Sequence, residues 1–167
     1  MNRLGVTLAV AAALGLGACA PPKKPPPPPP TVPSAPALAT HIATALANAG
    51  PAESPFAGMT ETDLTVGGQT LRVVIADEHS ERSTGLREAA PDLGPYDGML
   101  FVFPGTTTNS FTMSGVAVAL DIGWYDASGG VVASTTMQPC SCTYSAGAPY
   151  RLAIETLEGN LPEGPIT

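Results

Sequence analysis

The groups in this chain best suited to chemistry are Cys140 and Cys142, one residue apart, and Asp121, a carboxylate set between apolar neighbours in Leu120-Asp121-Ile122. Two thiols so close together suit thiol–disulfide exchange. They also suit capture of a soft cation, with the thioether of Met113 or Met137 completing a donor set that selects Cu(I). Each use meets an obstacle. Exchange sites ordinarily space their cysteines Cys-x-x-Cys, and a one-residue gap closes a strained ring. A metal site wants a histidine or a third cysteine nearby, and His79 lies far off in sequence. The competing account is structural: a constrained loop disulfide, or two unpaired thiols. Export to an oxidising compartment favours the disulfide. Tyr144, two residues on, is a candidate ligand contact, although packing with its hydroxyl at the rim is the commoner role.

If Asp121 lies in a strand, alternation sets Asp121, Gly123 and Tyr125 on one face and Leu120, Ile122 and Trp124 on the other. Asp121 then either contacts a ligand or a proton, or ties a loop to the sheet by accepting from backbone N–H groups or an arginine. No second acid stands at a defined spacing, and glycoside hydrolysis requires two. Met113 is a further candidate ligand contact in apolar, strand-like sequence, whereas Met99 reads as core. Neither a Gly-x-Ser-x-Gly elbow nor a phosphate-cradling glycine loop occurs, and His41 and His79 lack a placed partner. No catalytic residue, metal or cofactor is therefore assigned.

The elements that must position these groups are short strands. Residues 64–66 and 70–75 flank Gly67-Gly68, a hairpin turn signal. Asp77 is placed to cap a short helix over 78–86. Residues 98–103 (GMLFVF) read as a buried strand broken by Pro104-Gly105, and strands follow over 110–113, 116–125, 131–136 and 149–156. Upstream, 38–49 (LATHIATALANA) places Leu38, Ile42, Ala45 and Leu46 on one helical stripe, with Gly50 as a stop. That helix either packs on the domain or frays. The expectation is a mainly β protein, an antiparallel sandwich or barrel-like domain with one or two short helices. The domain should span 60–160, with a helix and linker over 38–59 and a C-terminal tail over 161–167.

The first 18 residues carry an address. Arg3 precedes an apolar run over 4–16, and small residues lead into Cys19. This is the order of a secretory signal. The run is short of the roughly 20 apolar residues a spanning helix needs. Leu16-Gly17-Ala18-Cys19 closely resembles a bacterial lipobox, which implies acylation of Cys19 and anchorage outside the cytoplasm. Ala20 after the cysteine resembles sorting to an outer membrane where there are two. Removing Cys19 from the count leaves Cys140 and Cys142, an even number. A proline-rich stretch over 20–36 follows and favours polyproline II, a stalk of about 50 Å if fully stretched.

Charge narrows the partners. Residues 38–167 hold four arginines against fourteen acids, a net of −10. Such a surface repels phosphate backbones and argues against nucleic acid. Lys23 and Lys24, beside Cys19, suit contact with anionic headgroups at about 1 kcal/mol each.

Residues 98–103 (GMLFVF), 110–113 (SFTM) and 120–122 (LDI), in that order, resemble the DUF192 (UPF0127) family, whose pattern runs roughly G-M-L-F-x-F, S-F-W-M-K-N-T and P-L-D-I. Residues 81–86 (ERSTGL) are similar to its E-x-x-x-G-L-M piece. Met137-Gln138-Pro139-Cys140 and Tyr144 are similar to its M-x-P-C and following tyrosine. The resemblance covers residues 62–158 and implies a compact β-rich domain, often exported, without an established activity. The chain departs from the pattern at Arg87 (Met), Thr112 (Trp), Ser114-Gly115-Val116 (Lys-Asn-Thr) and Ala119 (Pro). If the polar trio forms a ligand site elsewhere in the family, it is lost or altered here. The resulting expectation is a membrane-anchored, extracytoplasmic, non-enzymatic module for an unidentified ligand or envelope partner. The alternative is a redox or copper-handling lipoprotein using Cys140 and Cys142.

Overall fold

The computed structural model describes residues 36–87 and 89–167; the signal-like run expected over 1–18, Cys19 and nearly all of the proline-rich stretch lie outside them. The chain forms α1 (Thr40–Ala47), β1 (Gly50–Pro51), β2 (Thr60–Val66), β3 (Gln69–Ala76), α2 (His79–Thr84), β4 (Gly98–Thr107), β5 (Phe111–Thr112), β6 (Leu120–Tyr125), β7 (Val131–Met137), β8 (Thr143–Tyr144) and β9 (Tyr150–Leu157). Seven strands make one sheet in the order β1-β2-β3-β4-β9-β6-β7, and β5 pairs with β8 in a separate two-stranded sheet. The fold is mainly β, as composition and turn signals imply.

One pairing departs from the antiparallel expectation: β3 and β4 run parallel, with Val73 opposite Gly98 and Ala76 opposite Phe101. The cause is the connection over 77–97. Parallel neighbours need a crossover rather than a hairpin, and this one carries α2. By contrast, β2 and β3 close through Gly67-Gly68, both at positive φ, in full register from Thr60–Ile75 to Val66–Gln69. The neighbourhood of Gly67 also requires glycine, since a Cβ there would strike the Glu163 carbonyl.

The sheet buries both faces, so its central strands are apolar on both sides. Val74, Met99, Phe101, Ile122, Trp124 and Ala153 belong to one core. Val73, Leu100, Tyr125, Leu152 and Ile154 belong to the other, together with Ile42 of α1 and Ile166. The alternation expected around Asp121 holds: Leu120, Ile122 and Trp124 enter the first core, and Tyr125 enters the second. The helix over 38–49 packs rather than frays; Ile42 is 0% exposed, and Thr62 Oγ1 donates to the Ala45 carbonyl at 3.1 Å. Residues 161–167 return to the sheet, where Ile166 bridges to Val66 and its N–H donates to the Gly129 carbonyl at 2.9 Å.

Three local expectations need correction. The strand expected over 116–125 begins only at Leu120, because 114–119 form a turn and irregular chain after β5. Strand β4 does not stop at Pro104-Gly105 but runs on to Thr107. Its ladder to β9 shifts register between Val102 and Thr107, and that irregularity absorbs a proline that has no N–H to donate. Helix α2 is capped by Glu78 rather than Asp77. The Glu78 side chain accepts from the N–H of Glu81, and the Glu81 carboxylate accepts from the N–H of Glu78 at 3.0 Å, a reciprocal capping box.

Candidate functional site: a buried carboxyl beneath an aromatic cleft

A cleft of about 770 Å³ opens between α2 with its following turn on one side and the outer half of β4 with β5 on the other. Phe101, Phe103 and Phe111 supply apolar wall, packed edge to face; the Phe101 and Phe111 centroids lie 5.0 Å apart. Leu86 and Val116 extend that surface, while Ser110, Thr112 and Asn109 offer polar atoms. Tyr150 steadies the loop after β4 by donating its hydroxyl to the Asn109 carbonyl at 2.7 Å.

Glu155 lies at the bottom. It belongs to β9, between β4 and β6, and faces Met99 on one neighbour and Ile122 on the other. Neither brings a charge or a donor. Glu155 is 5% exposed, and burial pushes its pKa up to about 8. A hydrogen bond from the Leu86 backbone N–H favours the charged form but offsets only part of that cost. The carboxyl therefore holds its proton at neutral pH, able both to donate and to accept a hydrogen bond. Gly85, at φ 55°, lets the end of α2 settle here: a Cβ would lie 3.4 Å from Phe101 Cζ and 3.7 Å from Glu155 Oε2.

The mouth is cationic. Arg82 donates through Nη1 to the carbonyls of Asp77 and, at 3.0 Å, Val102, and its guanidinium sits 5.5 Å from the Phe103 ring centroid. Arg87 reaches across to the turn after β5, where a Cβ on Gly115 would come within 3.1 Å of its Cδ. Among the described residues the only ion pairs are those of Arg72 with Glu53 and Glu61, so neither arginine of the mouth has a carboxylate partner. His79 completes the rim.

The residues singled out from sequence fall in two other places. Four assemble behind β5. Phe111 pairs with Tyr144 and Thr112 with Thr143; the Met113 N–H donates to the Cys142 carbonyl at 3.2 Å. Cys140 and Cys142 are joined by a disulfide with Cα atoms 5.2 Å apart. The Tyr144 hydroxyl accepts from the Gln138 N–H at 3.0 Å and lies 3.9 Å from Cys140 Sγ. Met113 is 1% exposed, in the first core. This disulfide loop thus braces the strand whose other edge forms the cleft. Asp121 stands apart from it, with Oδ1 accepting from the Thr136 hydroxyl at 2.6 Å and Oδ2 from the Gly159 N–H at 2.7 Å. It ties β6 to β7 and to the turn after β9. Among the described residues no cluster of histidine, cysteine and acid is arranged to hold a metal.

The DUF192 pattern, described as "Uncharacterized ACR", matches residues 62–166. The chain belongs to the DUF192 family. A crystal structure of a protein of unknown function from Novosphingobium aromaticivorans DSM 12444 is similar, at TM-score 0.58 and 24% identity, covering 67% of this chain and 84% of that one. A Sinorhizobium meliloti 1021 protein, proposed to be a transcription regulator, is similar at TM-score 0.55 and 20% identity over 63% and 89% of the two chains. These likenesses speak to fold alone. No curated protein matches the chain.

The DUF192 motifs acquire a spatial meaning once the cleft is in view. Gly85 and Leu86, Phe101 and Phe103, and Ser110 and Phe111 come from three separate pieces of the pattern, and all line it. So do Arg87, Thr112 and Val116, three of the positions where this chain departs from the pattern. Sequence reasoning missed Glu155, although a signal was present. Leu152 and Ile154 on one face of β9, with Ala153 beside Glu155 on the other, mark a strand apolar on both faces, and an acid in such a strand is buried.

Proposed function

We propose that this DUF192 protein is a lipid-anchored, extracytoplasmic binding module that takes a small ligand into the Glu155 cleft without transforming it. The observation that carries the reading is a neutral, buried carboxyl beneath an aromatic cleft, the combination of apolar wall and few convergent polar groups typical of ligand sites. Support for the anchor is the lipobox-like run ending at Cys19 and the proline-rich stretch after it. The redox or copper alternative draws less from the geometry. The thioethers of Met113 and Met137 are buried in the first core, and the cysteines back a strand instead of lining the cleft.

The test is a cleft plug at an exposed position. Thr112→Trp places the residue of the wider family pattern at the rim. In native mass spectrometry of the mature chain against a panel of small aromatic and aliphatic acids, amides and sugars, the wild type should retain adducts that Thr112→Trp loses. Equal retention by both proteins would move the site elsewhere. Recovery of a chemically altered compound would make the protein an enzyme.

A further inference from the structure

The charge of the cleft runs against that of the protein. Residues 38–167 carry four arginines and fourteen acids, yet the cleft takes two of those arginines, Arg82 and Arg87, and a single acid. Resting on the binding reading above, we infer that the cleft selects organic anions: a small carboxylate whose charged end meets Arg82 and Arg87 and whose apolar body lies against Phe101, Phe103 and Phe111.

Three features of the geometry support this. Arg82 is held in place by two carbonyls through Nη1, which leaves Nε and Nη2 as further donors of a fork that matches a carboxylate. Arg87 is packed along Gly115, a glycine at φ 83° in the stretch where the family pattern has Lys-Asn-Thr; its cation has replaced the pattern's methionine. Thr112 stands where that pattern has tryptophan, which leaves room beside Phe111 for an apolar group. A ligand of this shape keeps its charge at the wet mouth and its apolar part in the dry wall, so neither end is left unpaired on binding.

Glu155 then adds a pH dependence. The groups facing it are the Leu86 N–H from the turn after α2, Met99 from β4 and Ile122 from β6; the charged or titratable groups of the lining are His79, Arg82 and Arg87. While protonated it adds no charge to the cleft. Once ionised, above about 8, it sets a negative charge beneath the ligand and opposes anion binding.

The chain contains a single tryptophan, Trp124, whose ring centroid lies 6.1 Å from that of Phe111, so cleft occupancy has a built-in fluorescent reporter. Phenylacetate, its neutral amide phenylacetamide and the cation 2-phenylethylamine form a charge series on one apolar body. The mature chain at pH 7 should bind phenylacetate at least roughly tenfold more tightly than the amide and the amine least, with Arg87→Gln removing about tenfold from the carboxylate alone. Affinity for phenylacetate should fall between pH 7 and pH 9, and Glu155→Gln should flatten that fall. The wild-type pH profile carries the same test should the variant not fold. Equal or tighter binding of the amide or the amine overturns the anion class but leaves the cleft as a binding site. An Arg87→Gln protein with undiminished charge preference overturns the assignment to this mouth. No response to any of the three, by fluorescence or native mass spectrometry, overturns the ligand class, and the Thr112→Trp comparison then decides the binding reading independently.

Discussion

Replacing Glu155 by glutamine keeps the side chain's length and its acceptor for the Leu86 N–H, and removes only its exchange of a proton. In the unfolded chain a glutamate titrates near 4.5; in the folded protein burial raises this one to about 8. Between those values the native state holds a proton that the unfolded state has lost. Stability contributed by this group is therefore complete below about 4.5 and declines as pH rises toward 8, with a limiting slope of about 1.4 kcal/mol per pH unit. From pH 5 to pH 8 the wild type should lose about 4 kcal/mol relative to Glu155→Gln, and above pH 8 the difference should level off. That is a large part of the 5–15 kcal/mol typical of a domain. Urea unfolding of both proteins at pH 5, 6, 7, 8 and 9 gives the difference directly, since titrations common to both cancel. Parallel stability curves over pH 5–8 would refute the reasoning, because they require Glu155 to ionise in the native state as readily as it does in the unfolded chain.

The other predictions concern the anchor, the helix and the disulfide. Metabolic labelling with a palmitate analogue should mark the wild type but not Cys19→Ser; equal labelling of both excludes acylation at Cys19. A chain beginning at Leu38 should melt within a few degrees of the mature protein, because the segment removed offers little but proline to bury; a large loss in a thermal scan contradicts this. Ile42→Ala should cost about 2–4 kcal/mol in urea unfolding, the range for truncating a fully buried aliphatic side chain, and a loss under 1 kcal/mol would mean that α1 is not part of the second core. Freshly exported protein should show no alkylatable thiol at Cys140 or Cys142. Reduction should cost only about 1–2 kcal/mol, since the bond closes a very short loop.

Most of the fold was legible wherever local chemistry decided the outcome. Gly67-Gly68 forms the turn because a two-residue hairpin needs positive φ, and the sequence puts glycine at both positions. The parallel β3–β4 pair was not legible. Residues 73–76 and 98–103 are continuous apolar runs, and such runs declare burial on both faces without declaring strand direction. Strand β4 continued past Pro104-Gly105 because a register shift accommodates the missing donor, a choice set by β9 from fifty residues away. Ile166 likewise joins the second core through Val66, Gly129 and His41, partners invisible from its own neighbourhood.

The site divides along the same line. Cys140, Cys142 and Asp121 stand out in the sequence because their side chains are reactive, and each is already engaged: the cysteines with each other, Asp121 with Thr136 and with the distant Gly159. Saturated groups of that kind hold a fold together. Glu155 is marked in sequence only by the apolar residues on both faces of its own strand, and the sheet seats it between two apolar strands with one backbone donor, so its binding capacity is left unspent. A polar side chain buried at this cost persists only if something compensates it. With Arg82 and Arg87 unpaired among the described residues at the same mouth, an organic anion would pair its charge with the two arginines and lay its apolar body over a carboxyl that burial keeps neutral.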